Sequence, residues 1–215
     1  MIDGTRSTGS SPLASSVAHF ALLFVQRINA IFEPLSNYLT NLRRLLITLH
    51  HSIDRLNEAI GRGVAWLTTV LVLVIVYDVA ARYLFNTSSA GIVELEWHLF
   101  SFIFLLGAAY ALKHDRHVRV DVFYQNFSVK RQAWVNLIGT LLFLIPFCVV
   151  AITASWKFTA NSWLIQEGSP DPGGLPARYV VKAAIPVGFT LLLLQAVSLS
   201  IRSWLTLTET TAPYD

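Results

Sequence analysis

The sequence has 215 residues and a formal net charge of +3; 54% of its residues are hydrophobic and only 13% are charged. Soluble domains carry about 25% charged residues, and a soluble chain of this size could not hide so much apolar surface from water. The small net charge argues against a nucleic-acid-binding protein. The single cysteine, Cys148, excludes disulfide and cysteine–metal frameworks within the chain. These features predict an integral membrane protein.

The N-terminal region has few features of a secretory signal. Residues 1–16 are rich in Ser, Thr and Gly, which predicts a disordered tail. The following stretch, Val17 to Phe32, is apolar but is interrupted by polar residues, and no convincing small-residue cleavage site follows it. We therefore interpret it as a surface helix rather than a signal peptide or a membrane span.

An amphipathic pattern follows. Between residues 35 and 60, Leu and Ile recur at steps of three and four, while Arg43, Arg44, Asp54, Arg55 and Glu58 fall largely off that stripe. This periodicity predicts a helix whose apolar face suits the membrane interface. The alternative is a helix packed on a soluble partner. We assign residues 17–62 to an interfacial arm, because a membrane span follows directly.

Four segments are apolar over about 20 residues, the length that crosses a bilayer as a helix. They cover residues 64–84, 93–112, 133–156 and 180–205. Isolated strands would leave backbone groups unpaired in lipid, so the segments must be helices. The predicted fold is an all-α membrane protein with four transmembrane helices over residues 63–205. Pro146 and Pro186 are candidate kinks, and residues 206–215 form a C-terminal tail.

Charge placement predicts the orientation. Twelve of the sixteen Lys and Arg residues lie before the first span, between the second and third, or in the C-terminal region, and four lie on the other side. Because cytoplasmic segments carry the Lys/Arg excess, both termini are expected in the cytoplasm.

Ionisable residues at the spans are candidates for function, since charge is costly there. Asp78 and Arg82 share one face of the first span, and Glu94 and Glu96 begin the second at the same level. We expect Arg82 to link the first two spans through one of these carboxylates. Snorkelling of each group to the interface is the alternative. Binding of a carboxylate substrate by Arg82 is disfavoured by the neighbouring acids.

The loop after the second span carries the sequence HDRHVRVDV, His114 to Val122. His117 and Asp121 could ligate a metal, but Arg119 and two further cations nearby disfavour one. A structural turn is the better interpretation, with Asp121 able to cap the element that follows. Haem would need histidines on facing helices, and only His98 falls within a span. No metal and no cofactor are expected.

A second loop, EGSPDPGGLPAR, covers Glu167 to Arg178 and is dense in turn residues. Its prolines fix φ, while Gly173 and Gly174 permit positive φ. It is no phosphate loop, because no strand precedes it and no G-K-[ST] follows. We expect a rigid outward loop, either purely structural or a docking surface. The candidate docking residues are Glu167, Asp171, Gly173, Gly174 and Arg178.

Three strings together are similar to a known family: RYLFN (82–86), VELEWHLFSFIFLLGAAYALKHDRHVRVDVFY (93–124) and EGSPDPGGLPARY (167–179). They resemble the small membrane subunit of tripartite ATP-independent periplasmic (TRAP) transporters, the DctQ type. The resemblance covers residues 56–205, and the N-terminal extension lies outside it. Where the family often has adjacent acids, Leu95 separates Glu94 and Glu96 here.

This resemblance implies a non-enzymatic, four-helix subunit of the bacterial inner membrane with two partners. One is a large TRAP membrane subunit that carries substrate and sodium sites, and the other is a periplasmic solute-binding protein that delivers an organic acid. The small subunit would widen the stationary scaffold. The loop sequence resembles a subgroup associated with 2-oxo or 2-hydroxy acids. Two other functions remain open: a stand-alone carrier or channel, and a membrane-anchored redox subunit.

Overall fold

A computed structural model describes residues 12–115, 124 and 126–208; among residues 12–36, Arg27 is the single residue whose side chain it describes. The chain divides into two compact units, residues 1–46 and 47–215. The first unit contains the helical residues 12–46. The second contains all the contacts described below.

The described residues form helices and no strands. The helices are α1 (Pro12–Phe85), α2 (Ala90–Lys113), α3 (Val129–Leu164) and α4 (Arg178–Thr208). Each is long and apolar enough to cross a membrane. This confirms the predicted all-α class with four apolar helices. The predicted arm and the first predicted span both fall within α1, and the interfacial position of that arm stays a prediction.

Helix α4 lies at the centre of the second unit. Half of its most apolar 18-residue stretch is buried, against 11% in α1 and 17% in α2 and α3. Its small side chains allow this, because Ala196 and Ser198 are fully buried. At Gly188 an added Cβ would lie 2.7 Å from the Leu105 carbonyl oxygen of α2. The backbones of α2 and α4 therefore meet at a point where only glycine fits.

Helix α3 changes its hydrogen-bond pattern immediately before Pro146. A π-helical turn, Thr140–Leu144, separates the α-helical segments Val129–Gly139 and Ile145–Leu164. The Ile145 amide donates to the Thr140 carbonyl, five residues back. Pro146 has no N–H and its ring crowds the carbonyl four residues earlier, so a local widening relieves that contact.

Pro186 interrupts the ladder of α4 in a different way. Its missing N–H leaves the Lys182 carbonyl, four residues earlier, without the usual intrahelical donor. Thr159 on α3 donates its hydroxyl to that carbonyl at 3.1 Å. A side chain of a neighbouring helix thus satisfies a backbone group that proline has released, as membrane helices require.

Helix α3 ends in a Schellman motif. Gln166 adopts a left-handed φ of 47°, its amide donates to the Trp163 carbonyl at 3.1 Å, and the Glu167 amide donates to the Ser162 carbonyl at 3.0 Å. The turn directs the chain back over the helix ends. We call this end of the second unit, where α1 and α3 finish and α2 and α4 begin, the loop end.

Candidate functional site

The loop between α3 and α4 is bound to the start of α2 through Glu94, whose side chain is almost fully buried. The Glu94 carboxylate accepts hydrogen bonds from the Ser169 hydroxyl, from the Leu175 amide at 2.6 Å and from the Arg178 guanidinium at 3.2 Å. Arg178 also lies over the Trp97 ring, 5.7 Å from its centroid. Three donors, one of them the Arg178 cation, make burial of this carboxylate tolerable.

Glu167 holds the other side of the loop. Its carboxylate accepts from the Ser162 hydroxyl at 2.6 Å and pairs with the Lys182 ammonium, while its carbonyl accepts from the Arg178 amide at 2.8 Å. The hydrogen bond from Lys182, followed by that from Ser162, holds the pKa of the Glu167 carboxyl below its ordinary value. Glu167 is therefore expected to be ionised at neutral pH.

The tip of the loop is a tight turn. The Gly174 amide donates to the Asp171 carbonyl at 2.9 Å, with Pro172 and Gly173 between them. Gly173 has φ of 78°, and proline followed by glycine with positive φ is the pattern of a type II turn. Residues 170–173 are exposed, whereas Glu167 and Arg178 are half-buried at the base. Of the residues predicted for docking, Asp171 and Gly173 thus occupy the accessible tip.

Two glycines allow the loop to approach α2 closely. A Cβ added to Gly174 would lie 2.9 Å from a Glu94 carboxylate oxygen, and one added to Gly91 would lie 2.9 Å from the Gly173 carbonyl oxygen. A larger residue at either position would displace the loop from the helix. The loop therefore packs closely against the start of α2, in addition to binding it through Glu94.

Asp78 and Arg82 pair with each other on α1, where Asp78 is buried and the Arg82 side chain is 54% exposed. The bonds accepted by the Glu94 carboxylate come instead from the loop and from α4. One carboxylate oxygen of Glu96 is buried and has no hydrogen-bond partner among the described residues. A link between the first two spans through these four residues stays a prediction.

Near the opposite end, a buried polar cluster joins α1 to α4. The Asn57 amide donates to Gln195 at 2.7 Å, and Gln195 donates to Asp54 at 3.0 Å. The Ser198 hydroxyl donates to the same Asp54 oxygen at 2.7 Å and lies 2.6 Å from His50 Nδ1. The sequence gives one indication of it, because Gln195 is a polar residue inside an apolar span.

Glu58 extends this connection to α2. Its carboxylate accepts from the Lys113 ammonium at 2.7 Å and lies 2.9 Å from His114 Nε2, while Arg62 donates to it at 3.1 Å along α1. Lys113 also donates to the Asp54 carbonyl at 3.0 Å. Polar side chains of α1 between residues 50 and 58 therefore bind α2 and α4 within the second unit.

The predicted motif residues His117, Arg119 and Asp121 lie outside the described residues. Within the described ranges, no group of three His, Cys, Asp or Glu side chains is arranged to hold a metal ion. His98 is buried, and its Nδ1 contacts the Glu94 carbonyl of its own helix.

Residues 71–206, more than half of the chain, match the family model "Tripartite ATP-independent periplasmic transporters, DctQ component". The chain belongs to the DctQ family. DctQ proteins are transporter components and not enzymes. Membership in this family, together with the four apolar helices, makes the chain a multi-pass inner-membrane protein and a TRAP small permease subunit.

Two relatives illustrate the DctQ similarity. The "C4-dicarboxylate TRAP transporter small permease protein DctQ" of Vibrio cholerae is 24% identical over 149 residues, which cover 60% of this chain and 64% of the Vibrio protein. A protein of Haemophilus influenzae assigned as a TRAP transporter small permease protein is 29% identical over 149 residues, which cover 69% of this chain and 90% of that protein. The chain thus spans less than two thirds of the first relative.

Proposed function

We propose that this DctQ-family chain supports a large TRAP membrane subunit during sodium-driven uptake of an organic acid delivered by a periplasmic binding protein. The observation that carries the proposal is that buried polar side chains of the helices bond to other residues of this chain. Asp78 pairs with Arg82, Glu94 binds the loop, and Gln195 binds α1. The Glu94 and Gln195 bonds hold separate segments of this chain together, and Asp78 is paired within α1. These three side chains are therefore engaged within the chain rather than free to line a polar pathway of the kind that carriers place between helices.

The outer faces of the helices support the same role. Large apolar side chains on α1 and α3, such as Leu73, Tyr83, Phe143 and Trp156, are at least 64% exposed. In a membrane these faces meet lipid or another transmembrane chain. A helical unit with one buried helix and exposed apolar faces is suited to enlarging a partner's scaffold. We place both termini in the cytoplasm on the charge distribution.

Reconstitution tests this function. Liposomes containing this chain and the proposed large TRAP membrane subunit should accumulate organic acid when sodium and the binding protein are supplied. Liposomes with either membrane chain alone should not. Uptake by this chain alone would instead establish the stand-alone carrier, and a Soret band in the purified chain would establish the redox subunit.

We further propose that the exposed tip of the 165–177 loop contacts the binding protein, with Glu167 and Arg178 supporting it from below. Asp171→Arg should reduce uptake several-fold while leaving co-purification of the two membrane chains unchanged, because the residue is exposed. Ser88→Arg places the same charge in the exposed 86–89 loop and serves as the control. Equal uptake by both variants would contradict docking at this tip.

A further inference from the structure

A groove of about 520 Å³ lies between α2, α3 and α4 near the loop end. Its walls are apolar and include Phe100, Phe104, Phe158 and Ile185. Phe100 and Phe104 are 59% and 68% exposed, so the groove opens on the side of the helical unit rather than into its core. All four residues lie in or next to the predicted spans, which places the opening at the level of the bilayer.

Two cations on successive turns of α4, Arg178 and Lys182, line the groove at the loop end. Arg178 uses Nη2 to bind Glu94, but its Nε is buried and has no hydrogen-bond partner among the described residues. Lys182 pairs with Glu167 and lies 4.1 Å from the Phe158 centroid, and an ammonium has three N–H groups. The Arg178 and Lys182 side chains keep 26% and 17% of their surface exposed, so the loop-end part of the groove presents cationic N–H groups to an acceptor.

The apolar walls and the cationic loop end together indicate what kind of molecule the groove can bind. From Arg178 to Ile185 the α4 axis rises roughly 10 Å, which stays within one half of a hydrocarbon core about 30 Å thick. The occupant that fits carries an oxygen acceptor at the loop end, next to the two cations, and an apolar chain along the rest of the groove. A transmembrane helix fits less well, because its backbone acceptors are already bonded within the helix.

We propose that this groove binds one phospholipid of the adjoining leaflet, with phosphate oxygens at the Arg178 guanidinium and the Lys182 ammonium and an acyl chain against Phe100 and Phe104. Basic pockets between transmembrane helices bind lipid head groups in this manner. The site is independent of the transported solute and of the orientation of the chain.

Native mass spectrometry of the full-length chain in detergent tests the phosphate. One dioleoyl-phosphatidylglycerol should be retained per chain, at least about tenfold more tightly than dioleoylglycerol, which lacks the charged acceptor. Inorganic phosphate should not displace it. Arg178→Gln and Lys182→Gln should each weaken retention. Equal retention of the two lipids, or displacement by phosphate, would overturn the proposal.

A second variant tests the groove without altering a charge pair. Ser101 lines the groove and its hydroxyl donates to the Trp97 carbonyl of its own helix, so Ser101→Trp should fill the space and expel the lipid. Thr153→Trp makes a similar change at an exposed position of α3 whose hydroxyl also bonds its own helix. Lipid retained by Ser101→Trp, or lost equally from both variants, contradicts the assignment.

A photo-crosslinking residue at Phe104, in membranes that contain the assembled transporter, separates a lipid from a protein occupant. An adduct of phospholipid mass supports the proposal. A crosslink to another polypeptide in place of that adduct would show that a partner helix fills the groove and would refute it.

Discussion

The hydrogen bond between Thr159 and the Lys182 carbonyl gives the sharpest test of how this fold is held together. Pro186 deprives that carbonyl of its intrahelical donor, and the Thr159 hydroxyl replaces it from α3 at 3.1 Å. Thr159→Val removes the hydroxyl and keeps the branched shape. The carbonyl then loses a bond that a bilayer cannot replace with water.

Two known ranges bound the loss in free energy of unfolding that Thr159→Val should cause. Side-chain hydrogen bonds between membrane helices average about 0.6 kcal/mol and reach about 1.7, while leaving a buried acceptor unsatisfied costs about 1–3 kcal/mol. Thr159 is only half-buried, which favours the lower part of the second range. We expect Thr159→Val to lower the free energy of unfolding by about 1 kcal/mol.

Cys148 provides the assay. It is the single cysteine and is fully buried, so its modification by a maleimide during titration with dodecyl sulfate reports the opening of the helical unit. The maleimide cannot reach the thiol while Cys148 is buried, so labelling requires the helices to separate. Thr153→Val is the control, because that exposed hydroxyl donates to carbonyls of its own helix.

A double-mutant cycle isolates the mechanism. Pro186→Ala restores an N–H four residues after Lys182, so Thr159→Val should cost clearly less in that background. An identical cost with and without Pro186, or a cost no larger than that of Thr153→Val, would refute the reasoning.

The same assay measures the first two of three further changes. Gly188→Ala should lower the free energy of unfolding by about 1–3 kcal/mol, because its Cβ would meet an α2 backbone carbonyl at 2.7 Å; Gly139→Ala, with no atom within 4 Å of the added Cβ, should not. Ala177→Gly should raise that free energy by about 1 kcal/mol, since Ala177 has φ of 65°; a loss would show that the side chain matters more than the strain. The lowered pKa of Glu167 means that its ionised form stabilises the fold, so the free energy of unfolding should fall as pH drops below 4.5. Maleimide does not react with the protonated thiol at such pH, so tryptophan fluorescence follows this titration. Glu167→Gln should remove that part of the pH dependence. If Glu167→Gln and the wild type had the same pH profile, the pairing of Glu167 with Lys182 would be contradicted.

The sequence by itself determined the fold class. Apolar length predicts a bilayer-spanning helix, because a backbone in lipid must satisfy its own hydrogen bonds. The four predicted spans, 64–84, 93–112, 133–156 and 180–205, all fall inside observed helices. The resemblance of residues 82–86, 93–124 and 167–179 pointed to the family that the comparison then showed.

Only the tertiary structure decided which distant residues meet. Glu94 binds Arg178 across 84 positions, and Asn57 binds Gln195 across 138. Periodicity places each side chain on a face of its own helix, but the neighbour of that face depends on how four helices rotate and pack. The close passage of Gly188 against α2 and the return of the 165–177 loop over Glu94 fix those rotations, and no local pattern encodes either one.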